Sequence, residues 1–167
     1  MLNNGKYDAL TVARYIVNYS YNKRYACSNL RLQKLLYFIQ VEYLVNTENG
    51  QPCFSDDLEA WDFGPVVPVV YREYKKFGSM SIPYVDLYYP KELMNVNSET
   101  FYKKYSVDEI NTEDRAIISS VIEQLKNIST SKLVDITHSQ LPWKEAYYKR
   151  VDHIITEASI RGYFNGK

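Results

Sequence analysis

The 167 residues predict a mainly α fold: a single compact helical domain with a short extended or β-ribbon element. Three observations point there. Apolar residues recur at helical spacing over long stretches, cap-forming residues stand just ahead of those stretches, and one brief segment from Leu58 to Phe63 alternates instead. A chain of this length buries a core without help from disulfides or metals.

From Ala9 to about Tyr21, Val12, Ala13, Ile16 and Val17 share one helix face, and Asp8 is placed to cap its start. Ser28 caps a second helix whose Leu32, Leu35, Leu36, Ile39 and Tyr43 repeat at helical spacing up to the Thr47–Gly50 stop. After Pro52 and the paired Asp56 and Asp57, Leu58 to Phe63 reads as extended. Pro65 keeps Gly64 out of the helical region, while Pro68 suits the first turn of a third helix, where a missing N–H costs nothing. Val67, Val70, Tyr71, Tyr74 and Phe77 are expected on its buried face, and Gly78 ends it.

Residues 79–106 form an excursion or small ribbon, with Pro83, Pro90, the polar Asn95–Ser98 run and a strand-like Phe101–Tyr102. Thr112 is expected to cap a fourth helix that places Glu113 and Asp114 in its first turn and buries Ile117, Ile118, Val121, Ile122, Leu125 and Ile128. Ser129 to Ser131 start a short helix through Leu133, Val134, Ile136 and Thr137, and Pro142 opens another carrying Trp143 and Tyr147. Ile154 and Ile155 read as a short strand or turn, and Thr156 caps a closing helix through Ala158, Ile160 and Tyr163.

Net charge is zero, so no global field draws the chain onto a phosphate backbone or an anionic bilayer, and nucleic acid is not the expected partner. The longest apolar run, Val66 to Val70, is far too short to span a membrane. Two cysteines, Cys27 and Cys53, and a start from Met1 to Lys6 without basic and apolar blocks fit a reduced, cytoplasmic protein. Tyrosine is in excess at 17 residues, which favours a binding protein, with simple compositional bias as the alternative.

No phosphate-binding loop or dinucleotide fingerprint occurs, and Cys27, Cys53, His138 and His153 lack metal-ligand spacing, so no cofactor or metal is expected. His138 beside Ser139 invites a serine hydrolase reading. Ser139 lacks the glycine-flanked elbow, however, and the favoured reading is a helix end whose histidine hydrogen-bonds into a corner near Trp143. Asp56, Asp57, Glu59 and Asp62 read as a solvated edge rather than a carboxylate pair. The basic pairs, such as Lys75 and Lys76, read as solvated helix surface, and the first two helices are compatible with a helix-turn-helix.

Three blocks stand out: Leu32-Gln33-Lys34-Leu35-Leu36-Tyr37-Phe38, then Glu59 to Tyr71 with Trp61, Phe63, Gly64, Pro65, Pro68 and Tyr71, then Thr137-His138-Ser139-Gln140-Leu141-Pro142-Trp143. In order and wording they resemble the Panacea domain, the SocA-like antitoxin family also found among phage-associated proteins of the GepA type. The resemblance implies a non-enzymatic antitoxin that neutralises a cognate protein toxin, encoded beside it, by direct contact. Members of the family are paired with very different toxins, and one branch resembles an adaptor that delivers its toxin to an ATP-dependent protease. Trp61, Phe63, Tyr71, His138 and Trp143 are expected chiefly as a packed corner, with contact to a partner as the alternative. Partner recognition is then expected in the 79–106 excursion, which matches no family block.

Overall fold

A computed structural model describes residues 5–90 and 101–166; the Asn95–Ser98 run and the first four residues lie outside the described residues. Helix α1, Ala9–Lys23, starts where Asp8 accepts a hydrogen bond from the Thr11 N–H, and α2, Asn29–Asn46, starts where Ser28 accepts one from Arg31. Strands β1, Leu58–Trp61, and β2, Gly64–Val66, make a tight antiparallel hairpin that leads directly into α3, Pro68–Tyr74, and a 3-10 turn at Lys75–Phe77. The two-residue ribbon strands β3, Leu87–Tyr88, and β4, Lys103–Lys104, pair with each other. Then come α4, Thr112–Leu125, α5, Thr130–Ser139, α6, Leu141–Lys149, strand β5, Ile154–Ile155, and α7, Glu157–Asn165.

Helix α2 is the axis of the molecule: α1, α3, α4, α5, α7 and β2 all pack against it. Asn46 alone of its residues is exposed, so it is buried all round rather than along one stripe. That excludes the helix-turn-helix reading, because no face of the second helix is free to enter a groove. A helix so enclosed must find partners for its polar groups. Arg31 donates to the carbonyls of Leu125 and Ile128 and thereby caps α4, and Gln40 donates to Phe54 O while accepting from the Cys53 and Phe54 N–H groups.

The three-stranded sheet has the order β2-β1-β5, antiparallel throughout, with Trp61 opposite Gly64 and Leu58 opposite Ile155. The fold is thus mainly helical with a small sheet. The β2 strand escapes sequence reading because Gly64-Pro65 looks like a break, whereas Gly64 at φ +99° supplies the left-handed residue that lets the chain double back.

Several single expectations shift. Asn111, not Thr112, caps α4, and Phe101–Tyr102 precedes the ribbon strand instead of forming it. Asp114 stands in the first turn of α4 as expected, and there it is fully buried and accepts from Tyr43 at 2.6 Å, Tyr7 at 2.7 Å, Asn111 at 2.7 Å and Lys6 at 3.0 Å. Burial alone would raise its pKa, but the hydrogen bonds from Tyr43, Tyr7 and Lys6 outweigh that and hold it below the ordinary carboxylate value.

The tyrosine excess acquires a physical account here. Tyr19 and Tyr25 of the α1 end donate to Glu123 on α4, Tyr37 donates to Gln140, Tyr88 to Glu109 and Tyr147 to Asp62. Each ring contributes apolar area to a seam while its hydroxyl latches the far side.

Candidate functional site

Helix α2 fastens the Gly64 corner with two consecutive side chains. Gln33 Oε1 accepts from the Val67 N–H at 2.9 Å, supplying the N-cap partner that α3 otherwise lacks, and its Nε2 donates to Asn29. Asn29 passes the chain on by donating to Tyr71 O. Lys34, with 0% exposure, donates from Nζ to Pro65 O at 2.8 Å. A Cβ added at Gly64 would stand 2.7 Å from Lys34 Nζ and 2.7 Å from Thr137 Oγ1, so the glycine lets the corner settle directly on both. Burial pushes the Lys34 ammonium down to about 7.

The third sequence block meets the second from the other side. Trp143 Nε1 donates to Trp61 O at 3.0 Å, and Tyr37 of α2 donates to Gln140 Oε1 at 2.7 Å. The Trp143 ring lies against His138 at 4.1 Å and stacks on Tyr147 at 4.6 Å. His138 therefore contributes a ring face, not the expected hydrogen bond: its Nε2 is buried without a partner among the described residues. The hydroxyl of Ser139 donates to Ile136 O, so the serine and histidine do not form a catalytic pair.

All three blocks converge, but they divide into two layers. Gln33, Lys34, Tyr37, Gly64, Pro65, Pro142 and Trp143 are buried, and Trp61, Pro68 and His138 are half-buried. Phe63 is 66% exposed at the hairpin tip and Tyr71 is 36% exposed on α3, which departs from the expectation that Tyr71 lies on the buried face. Trp143 is thus packed into the corner, and Phe63 stands outside it.

Between the hairpin, α3 and α6 lies a cleft of about 650 Å³, with Trp61, Phe63, Val66, Tyr71 and Leu30 among its walls. The Trp61 and Tyr71 rings meet edge to face at 5.0 Å on one side of it. Lys75, Tyr147 and His153 also line it. Sequence reading assigned none of them to a site, although the Tyr147 position, one helical turn after Trp143, was a usable signal.

The acidic group keeps Asp57 and Asp62 exposed, as a solvated edge requires, while three of its carboxylates are also engaged. Asp56 accepts from the Ala9 N–H, Glu59 from Trp61 Nε1 at 2.7 Å and Asp62 from the Tyr147 hydroxyl at 2.7 Å. Among the described residues no three His, Cys, Asp or Glu side chains gather as metal ligands, and no helix is long and apolar enough to cross a membrane. The thiols of Cys27 and Cys53 are free and buried, and burial raises that of Cys27 to about 11.

The family model described as "Antitoxin SocA-like, Panacea domain" matches residues 32–144, which takes in every block residue from Gln33 to Trp143. Antitoxin SocA of Caulobacter vibrioides (strain NA1000 / CB15N) is 46% identical over 65 residues, 39% of this chain. The chain spans about a third of that curated relative, 34% of its length. No solved structure matches.

Proposed function

The chain belongs to the Panacea-domain family of SocA-like antitoxins, and on that premise we propose that it neutralises a protein toxin by direct contact through the aromatic cleft. The observation that carries the reading is the exposure of Phe63 and Tyr71 beside a braced apolar cleft, within a motif whose other members are mostly buried. Large aromatics left in solvent at a rigid rim are the residues that dominate protein interfaces. The cleft offers no assembled catalytic pair, which suits binding better than turnover. The two free, buried cysteines suit a reducing compartment, which supports a cytoplasmic encounter.

Co-expression with the product of the adjacent reading frame tests this. Rescue of growth together with a stable stoichiometric complex is the expected result, and absence of both removes the reading. Delivery to an ATP-dependent protease, the alternative, predicts instead that the toxin disappears only in cells where that protease is active.

A further inference from the structure

We infer that Lys34 works as a proton-operated latch: a proton taken up there loosens residues 64–67 from α2 while the rest of the fold stays closed. Val66 of that segment lines the aromatic cleft, so the latch sets how firmly one cleft wall is held. The device does not rest on the antitoxin reading; where that reading holds, the contact becomes pH-dependent too.

The surroundings of Nζ suit an amine better than an ammonium. Lys34 is 0% exposed, and among the described residues its one hydrogen-bond acceptor is Pro65 O at 2.8 Å. An ammonium carries three N–H groups, so the cation leaves donors unanswered away from water. The titratable groups on the elements that meet at the Gly64 corner are engaged or directed elsewhere. Glu59 and Asp62 of the hairpin accept from Trp61 Nε1 and the Tyr147 hydroxyl, and on α2 Arg31 donates to Leu125 O and Ile128 O while Tyr37 donates to Gln140. On α5, Asp135 is exposed and His138 lies against Trp143. Burial by itself therefore brings the Lys34 ammonium down to about 7, with no charged neighbour contributing.

The response is local because the hairpin is held unequally. Strand β1 has ties of its own: it pairs with β5, the Ala60 N–H donates to His153 O, and Trp61 O accepts from Trp143 Nε1. Residues 64–67 are fastened to α2 by two side chains, Lys34 on Pro65 O and Gln33 on the Val67 N–H. Gly64, at φ +99°, is the joint between the two halves. A lysine freed into water holds its proton to about 10.4, so the opened segment binds more protons than the closed one as pH falls toward 7. Opening grows over that range and levels off below it.

Amide hydrogen exchange of the full chain, followed by NMR and corrected for the intrinsic pH dependence of exchange, tests this at Val67. Its protection should fall about tenfold from pH 8 to pH 6, level off below pH 6, and lie well under that of Ile39 in the middle of α2 throughout. Lys34→Met should abolish the fall. His138→Gln, which removes the other titratable ring at the corner, should keep it. Equal protection of Val67 at pH 8 and pH 6 overturns the inference. So does protection at Val67 that matches Ile39 at every pH, since the segment then opens only with the whole fold. A fall kept by Lys34→Met and lost in His138→Gln assigns the proton to the histidine and overturns it as well. Should Lys34→Met not fold, the Lys34 Cε resonance of wild type decides: titration near 7 supports the latch, and titration near 10.4 overturns it.

Discussion

Lys34 Nζ donates to the carbonyl oxygen of Pro65, 31 residues downstream, at 2.8 Å, and is paired with no carboxylate among the described residues. An ammonium buried this way bonds the hairpin to α2 but gives up its hydration, which disfavours the charged form in the fold.

That burial makes stability depend on pH in a particular direction. The folded protein releases the Lys34 proton near 7, whereas an unfolded lysine keeps it to about 10.4. Between those values the unfolded chain binds more protons, so stability rises with pH, by at most about 1.4 kcal/mol per unit. Urea unfolding at pH 7 and pH 8.5 should show wild type gaining on Lys34→Met. Equal slopes for the two proteins would sink the assignment, whatever their offset.

Gly64→Ala adds a methyl to a residue at φ +99° with Lys34 Nζ and Thr137 Oγ1 2.7 Å from the new carbon. Backbone strain and overpacking together should cost roughly 2–4 kcal/mol. Chemical denaturation reads this directly, and a loss under about 0.5 kcal/mol would mean that the corner is looser than its geometry implies.

Asp114 carries the opposite dependence. Its folded pKa lies below the ordinary value, so the unfolded chain takes up the proton first as pH falls through about 4. The stability it contributes is complete above that range and drains as pH drops through the folded value. Asp114→Asn should cost roughly 2–3 kcal/mol at neutral pH, with the gap narrowing in acid. Parallel acid-unfolding curves would contradict the role of Asp114 as a hub.

The division of the aromatic motif into two layers is testable on stability alone. Trp143→Ala, at a side chain 5% exposed that also loses its bond to Trp61 O, should cost about 3–5 kcal/mol. Phe63→Ala, at 66% exposure, should change stability by less than about 0.5 kcal/mol. Comparable losses at both positions would place Phe63 in the core after all.

Local chemistry was legible where it is local. Asp8, Ser28, Ser129 and Thr156 all accept the N–H three residues on, as their identity and place ahead of apolar runs indicated. The β2 strand and the role of Asp114 were not legible. A three-residue strand containing proline carries no periodic signal, and an acid in a first helical turn looks the same whether it faces water or Tyr43.

What the sequence determined by itself is the set of helices, most of their starts, and the three blocks that mark the family, because spacing and caps depend on neighbours a few residues away. What only the tertiary structure decided is which side of that motif meets solvent. Helical periodicity places Val70, Tyr71 and Tyr74 together on one α3 face, yet Val70 and Tyr74 are buried and Tyr71 opens onto the cleft. The difference comes from α1 and α2 packing against one side of α3 while Tyr71 faces the cleft beside the hairpin, a matter of long-range packing that no short window of residues contains.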